Sequence, residues 1–239
     1  MNKLTLSATL ALMTALAACA GKKDEPADSA APPSAAETGE PASTPAPAAA
    51  SEPAPAAAAA AAPAAEEDEA TIEKRKAVEF ALNEEKIATD PKGQWASSAK
   101  ATSTYGDAKD PQDYSASKAT GAPDVANFSD NGNAWTAKEA DGGIERLEVG
   151  FAKPVHATEI RIRQSFAPGA IIKVELIDTT GAGHVVYEGV DAASYDKYNF
   201  WFRKSFDKTA YQVAGAKITL ATNAVPSWNE IDAVQLIGE

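Results

Sequence analysis

The chain has little of what catalytic and metal centres are usually made from. It carries one cysteine, Cys19, and two histidines, His156 and His184, which lie 28 positions apart. With its single cysteine near the N-terminus, the folded part has no disulfide and no thiolate metal site. Basic residues are outnumbered: 22 Lys and Arg stand against 34 Asp and Glu, a formal net charge of −12. Nucleic-acid binding relies on basic patches, and this balance argues against it. No H-E-x-x-H, G-x-S-x-G, Walker loop or post-strand G-x-G-x-x-G occurs. Ser97-Ser98-Ala99-Lys100 and Ser115-Ala116-Ser117-Lys118 both match S-x-x-K. The companion motifs of acyl-enzymes are missing, and both matches lie in turn-rich sequence. Neither histidine has a cysteine or a patterned acid partner, so both are expected to be structural or exposed. The chain is not expected to be an enzyme.

Long hydrophobic runs are also missing. The apolar stretch 4–15 is too short to span a bilayer as a helix. It follows Met1-Asn2-Lys3 and ends in Leu16-Ala17-Ala18-Cys19. This end resembles the lipobox of bacterial lipoproteins, and the chain's one cysteine falls at the acceptor position. The resemblance implies a signal peptide over residues 1–18, cleavage before Cys19 and lipidation of Cys19 with palmitate-type chains. Ala20, rather than Asp, by the same resemblance favours the outer membrane over inner-membrane retention. Each buried CH₂ of a lipid contributes about 0.8 kcal/mol, so several chains on one residue anchor firmly. The expected location is the bacterial cell envelope, with the membrane as a partner through Cys19.

Residues 19–70 are mostly Ala, Pro, Ser and Glu. Proline recurs too often for a stable helix, and no large apolar residue is available for a core. A disordered Ala/Pro-rich tether is expected, reaching ~150 Å if fully extended and roughly 40 Å as a flexible coil. The character changes near residue 66. Acidic residues precede a stretch in which Ala77, Phe80, Ala81 and Ile87 share one helical face, with Val78 and Leu82 beside it. Early acids favour a helix N-terminus and Asp90-Pro91 a stop, so a helix is expected over 71–90. It either packs on the domain or docks a partner.

Residues 91–239 carry the folded module. About forty residues after Gln94-Trp95-Ala96-Ser97-Ser98 are rich in Gly, Pro, Asp, Asn and Ser, which predicts ordered loops. Strands are expected at 145–151, 158–163, 171–177, 184–190, 199–206, 211–221 and 231–237. The clearest signal is at 158–181. Ile160 and Ile162 alternate with charged residues, then Ile172, Val174 and Leu176 do the same. Period two places each set on one sheet face. With Ala167-Pro168-Gly169-Ala170 between them, the two runs are read as an antiparallel pair joined by a turn. Many short strands with regular turns argue an all-β fold, an antiparallel sandwich or jelly roll.

Three segments, in order, carry a resemblance. Tyr114-Ser115-Ala116-Ser117-Lys118-Ala119-Thr120-Gly121-Ala122-Pro123-Asp124, with Trp135 after it, is similar to a loop of discoidin-type, galactose-binding-like domains. Gln164-Ser165-Phe166-Ala167-Pro168-Gly169-Ala170-Ile171 resembles their "E-x-x-N-P-G-A-I" segment, with Gln164 and Ala167 departing from it. The run from Trp228-Asn229-Glu230-Ile231 to Gly238 resembles their closing strand. The resemblance covers about residues 95–238. It implies an eight-stranded jelly roll that binds glycans, phospholipid head groups or proteins through loops at one end. It also implies a possible structural calcium, with Asp124 and Glu230 as carboxylate ligands and the carbonyls of 119–121 beside them.

A second candidate site comes from the residues themselves. Tyr195, Tyr198, Phe200, Trp201 and Phe202 crowd into eight positions, with Arg203 following. Phe200 and Phe202 are expected in the core. Tyr195, Tyr198 and Trp201 are candidate exposed rings for stacking on sugar, with Arg203 to bond hydroxyls. Trp135 and Trp228 are expected to pack under the loops. The expected function is non-catalytic ligand binding, to a cell-envelope or extracellular glycan. The alternative is a protein-interaction or assembly factor whose partner is an envelope protein.

Overall fold

The structure, a computed structural model, describes residues 68–239. The signal peptide, Cys19 and nearly all of the tether lie outside the described residues. The first element is a helix, α1 (Glu69–Ala88), two residues earlier at each end than the sequence suggests. The Asp68 side chain caps it by accepting from the Thr71 N–H at 2.8 Å. At the other end the Thr89 N–H and hydroxyl both bond the Glu85 carbonyl. Among the described residues no helix is long and apolar enough to cross a membrane.

Eight strands follow: β1 (Gly93–Ala101), β2 (Ile144–Val155), β3 (Ala157–Phe166), β4 (Ile171–Asp178), β5 (Gly183–Glu188), β6 (Trp201–Ser205), β7 (Val213–Ala221) and β8 (Glu230–Gly238). Their order is β5-β4-β7-β2-β1-β8-β3-β6, and every neighbouring pair is antiparallel. β1 belongs to both halves. Its Ala96–Ala101 part pairs with β2, its Gly93–Trp95 part with β8, and the register slips between Ala96 and Ser98. The sheet folds over at this strand into two leaves, which makes the sandwich. β1 was not expected as a strand. Gly, Gln, Ala, Ser and Lys have weak strand preference, and pairing on both sides outweighs it.

The pairing of the 158–181 stretch is different from the expectation. β3 bonds β6 and β8 in one leaf, whereas β4 bonds β5 and β7 in the other. The segment between them is a crossover, not a hairpin. Ala167 and Gly169 both take positive φ there, and the Gly169 N–H donates to Gln164 Oε1 at 3.0 Å. Period two was right about the faces of Ile160, Ile162, Val174 and Leu176, but the register slips at the start of β4, so Ile171 rather than Ile172 enters the core. Ile160 and Ile162 of β3 meet Val174 and Leu176 of β4 in one core, across the sandwich rather than along a ladder. Leu147, Ile171, Ile218, Leu220 and Leu236 complete its centre. Each fully buried side chain of this kind contributes roughly 1.5–3 kcal/mol.

The long β1–β2 connection is fixed by what it buries. Trp135 is fully buried and exchanges backbone hydrogen bonds with Ile231, while its Nε1 donates to the Ser103 carbonyl at 3.1 Å. Ser115, Ala116 and Ala119 are buried as well. The connection is thereby held against the start of β8.

The outer face of β3 and β8 is also buried, although it is polar. α1 and the 120s loop cover Glu159, Arg161, Arg163, Asp232 and Gln235. Arg161 pairs with Asp90 at 3.1 Å and Glu159 at 2.8 Å, and Arg163 pairs with Asp232 at 2.5 Å and Glu84 at 3.4 Å. Gln235 Nε2 donates to the Ile87 carbonyl at 3.0 Å. The helix therefore packs on the module, through Glu84 on Arg163, through Phe80 on Tyr198 and Phe200, and through buried Ile87.

Candidate ligand-binding site

Loops and one strand end meet in a cavity of about 170 Å³ lined by Tyr105, Tyr114, Asp130, Thr136, Trp228 and Glu230. Tyr105 stands edge-on to Tyr114, with ring centres 5.2 Å apart, and edge-on to Trp228 at 5.6 Å. Tyr105 is 45% exposed and forms the outer wall. Tyr114 and Trp228 are half-buried. Asp130 is exposed and accepts from the Tyr114 hydroxyl at 2.7 Å. That bond, with desolvation second, raises the Tyr114 pKa. The Thr136 hydroxyl is turned to the Asn229 carbonyl at 3.1 Å.

Glu230, the first residue of β8, is 1% exposed. Its carboxyl accepts from Ser165 Oγ at 2.9 Å and from the Asn131 N–H at 3.2 and 3.3 Å. Burial pushes its pKa up to about 8, and nearby Asp130 acts in the same direction. The Ser165 and Asn131 bonds offset only part of this.

The backbone around the cavity is strained. Among the described residues four non-glycine positions have positive φ: Asp107 (55°), Tyr114 (60°), Ala167 (41°) and Ser227 (89°). Tyr114 lines the cavity, Ser227 precedes Trp228, and Asp107 follows Tyr105 by two positions. Ala167 supplies the carbonyl that takes the Asn229 side chain at 2.6 Å. Such conformations cost on the order of 1–3 kcal/mol each and concentrate at functional sites.

The aromatic run expected as a sugar platform lies elsewhere, beneath α1. Trp201 is 5% exposed, and its Nε1 donates to Glu84 at 2.5 Å. The Tyr198 hydroxyl donates to Glu73 at 2.7 Å, and its ring lies 6.0 Å from Phe80. Tyr195 is half-buried and donates to Asp191 at 2.5 Å. Arg203 is exposed, with Nε on Glu159 at 2.8 Å. These rings already have partners: α1 takes Tyr198 and Trp201, Asp191 takes Tyr195, and Glu159 takes Arg203. Phe202 joins the core as expected, but Phe200 is buried in the outer layer, between Phe80, Phe128 and Arg163.

The two carboxylates expected on calcium have different surroundings. Asp124 is exposed, and its backbone N–H donates to Asp232 at 3.3 Å. Glu230 is enclosed in the aromatic cavity. Among the described residues no group of three or more His, Cys, Asp or Glu could hold a metal.

The histidines and the S-x-x-K matches have structural partners. His156 Nδ1 meets the Thr209 carbonyl at 2.8 Å. His184 Nε2 meets Asp178 at 2.8 Å and stacks on Tyr211. Lys100 pairs with Glu148, and Lys118 bonds Asn133.

Sequence reading missed Tyr105 and Asp130 as site residues, quoted Tyr114 only within the resemblance, and placed Trp228 under the loops. Tyrosines set in Gly- and Asp-rich loop sequence were the available signal, since ordered loops commonly carry function.

This architecture is that of a discoidin-type, galactose-binding-like module, an antiparallel β-sandwich with its loops gathered around a cavity. Residues 85–239 match the family described as Pappalysin-1, SD scarf domain, C-terminal, and the chain belongs to that family. Among solved structures it is similar to chitosan-binding module 1 of a chitosanase/glucanase from Paenibacillus sp. IK-5. Identity there is 10% over 59% of this chain and 94% of that one, with a TM-score of 0.45. It is also similar to the family 32 carbohydrate-binding module of C. perfringens NanJ in complex with galactose, at 19% identity over 60% and 98%, with a TM-score of 0.40. A third is a Ruminococcus gnavus GH29 fucosidase in complex with fucose, at 16% identity over 72% and 31%, with a TM-score of 0.44. No curated protein matches the chain.

Proposed function

We propose that this chain is an envelope-anchored lipoprotein presenting a non-catalytic glycan-binding module, with the Tyr105–Tyr114–Trp228 cavity as its ligand site. The supporting observation is the cavity itself. Three aromatic rings stand beside two carboxyls and a hydroxyl in a small open space. Rings stack on the C–H faces of a sugar, and polar groups set among them fix its hydroxyls. At about 170 Å³ the space is below the roughly 300–1,000 Å³ of drug-sized pockets, which suits one sugar unit of a longer chain.

Calorimetric titration with envelope and extracellular polysaccharides tests this reading. Tyr105→Ala should weaken binding about tenfold, since one well-packed ring contributes about 0.5–1.5 kcal/mol beyond its area. Trp201→Phe, under α1, should leave affinity unchanged. Equal loss in both variants, or in neither, would move the site away from the cavity.

Structural calcium, in this reading, uses Asp124 with backbone carbonyls of 119–121 and leaves Glu230 to the ligand. Calcium should raise the unfolding midpoint of the wild type and not of Asp124→Ala. An unchanged wild type refutes it.

A second reading, a protein-assembly role, has one observation in its favour. Val78 and Leu82 are 52% and 65% exposed on the outer side of α1.

A further inference from the structure

We propose that the cavity selects a protonated amino group, carried on an amino-sugar unit of the glycan; this rests on the glycan reading above. The space is lined by three aromatic rings, two of them phenols, two carboxyls, the Thr136 hydroxyl and no lysine, arginine or histidine. Among the described residues neither Asp130 nor Glu230 forms an ion pair. The buried carboxylate nearby, Asp232, has Arg163 against it at 2.5 Å. The chain thus compensates its other deep acid on this strand and leaves the acids of the cavity for something else.

Geometry narrows the cation. A metal such as calcium takes six to eight oxygens. Here the oxygens are two carboxyls, two phenols, of which Tyr114 is already bonded to Asp130, and a Thr136 hydroxyl committed to the Asn229 carbonyl. An organic ammonium needs less. Its N–H groups bond carboxylates with charge assistance, and its positive charge is attracted to ring faces within about 6 Å. The mouth and floor are placed for this. Asp130 is exposed at the rim, Glu230 is enclosed behind it, and Tyr105 and Trp228 stand nearly perpendicular at 89°. Trp228 also keeps a buried indole N–H with no acceptor, a donor that the protein does not use.

Charge then sets selectivity. Acidic sugars and phosphates would meet two carboxyls without a counter-charge. An N-acetylated unit would bring no cation to the acids. A free amino group brings its charge to Asp130 at the rim, and its approach favours ionisation of Glu230, whose proton burial otherwise retains.

The test is calorimetry on the full chain in detergent, with four probes: a glucosamine oligosaccharide, its fully N-acetylated counterpart, a neutral glucose oligosaccharide and methylammonium alone. The glucosamine chain should bind at least about tenfold more tightly than the N-acetylated and neutral ones. Asp130→Asn, at an exposed position, should remove most of that preference with an unchanged unfolding midpoint, and Glu230→Gln should remove it as well. N-acetylated or neutral chains binding as tightly as the amino chain would overturn the inference and leave the glycan reading standing. Methylammonium binding with no saccharide bound would overturn the sugar as carrier and the glycan reading with it. No binding by any probe would overturn both.

Discussion

Glu230 is held almost without solvent contact, with a pKa near 8 in the folded protein against an ordinary 4.5. The folded state therefore keeps this proton over a pH range in which the unfolded chain has lost it. Stability from this group is greatest below about 4.5, falls as pH rises, and levels off above about 8. The slope cannot exceed about 1.4 kcal/mol per pH unit for one proton. Glu230→Gln keeps an acceptor for Ser165 and cannot ionise. The wild type should lose stability relative to this variant between pH 5 and 8, measured as the difference of their thermal midpoints. A constant difference would show that the carboxyl is ionised throughout. The same residue illustrates a limit of sequence reading. Glu230 stood out from the chain as a carboxylate of interest, but its partners are Asp130, Asn131 and Ser165, about 100 and 65 positions away. No local pattern assigns such partners, and a metal role was the natural expectation.

α1 shows what one element does to the surface beneath it. β3 carries Glu159, Arg161, Arg163 and Ser165 on the face opposite the core, a pattern that reads as a solvated face. All four are buried. Burial of charges is tolerated because nearly every one is paired, and such pairs are fragile when one partner is lost. Arg163 bonds Asp232, Glu84 and the Val125 carbonyl, and lies over the Phe200 ring at 4.8 Å. Arg163→Ala should destabilise the module by about 3–5 kcal/mol in denaturant unfolding, because Asp232 is left buried without its counter-charge. Glu84 is a milder cut. It serves both Arg163 and Trp201 from the helix side. Glu84→Ala should speed hydrogen exchange in α1 while β7 keeps its protection. Uniform acceleration across both would mean that helix and sheet unfold as one unit.

The helix was legible from its acidic start, its apolar face and Asp90-Pro91. Packing on the domain was one of its two readings; which residues it covers was not legible. An amphipathic stripe of weak contrast does not say which surface it faces, and this one meets the sheet with glutamates as well as Phe80.

For the molecule as a whole, the reading joins a folded module to an anchor at Cys19 through a long Ala/Pro-rich stretch. Cys19→Ser should leave the chain unprocessed or soluble in membrane fractionation, with ligand affinity unchanged. Normal membrane recovery of that variant would refute the lipid anchor.

The all-β class, seven of the eight strands and the inward face of β3 and of most of β4 followed from period-two alternation and turn residues. These signals are local, because a pleated strand sends successive side chains to opposite sides whatever its neighbours are. Strand partners do not follow from such signals. β3 and β4 are adjacent in the chain, both alternate, and a Pro-Gly turn separates them, yet they lie in opposite leaves and meet only through their side chains. β1, with almost no strand signal of its own, joins the two leaves. The cavity belongs with these long-range features. Its lining comes from residues 105 to 136 and from 228 and 230, which meet because Trp135 docks on Ile231 and ties the long loop to the last strand. Local alternation specifies where a side chain points. Packing across more than ninety residues of chain specifies what it meets, and the ligand site is made of such meetings.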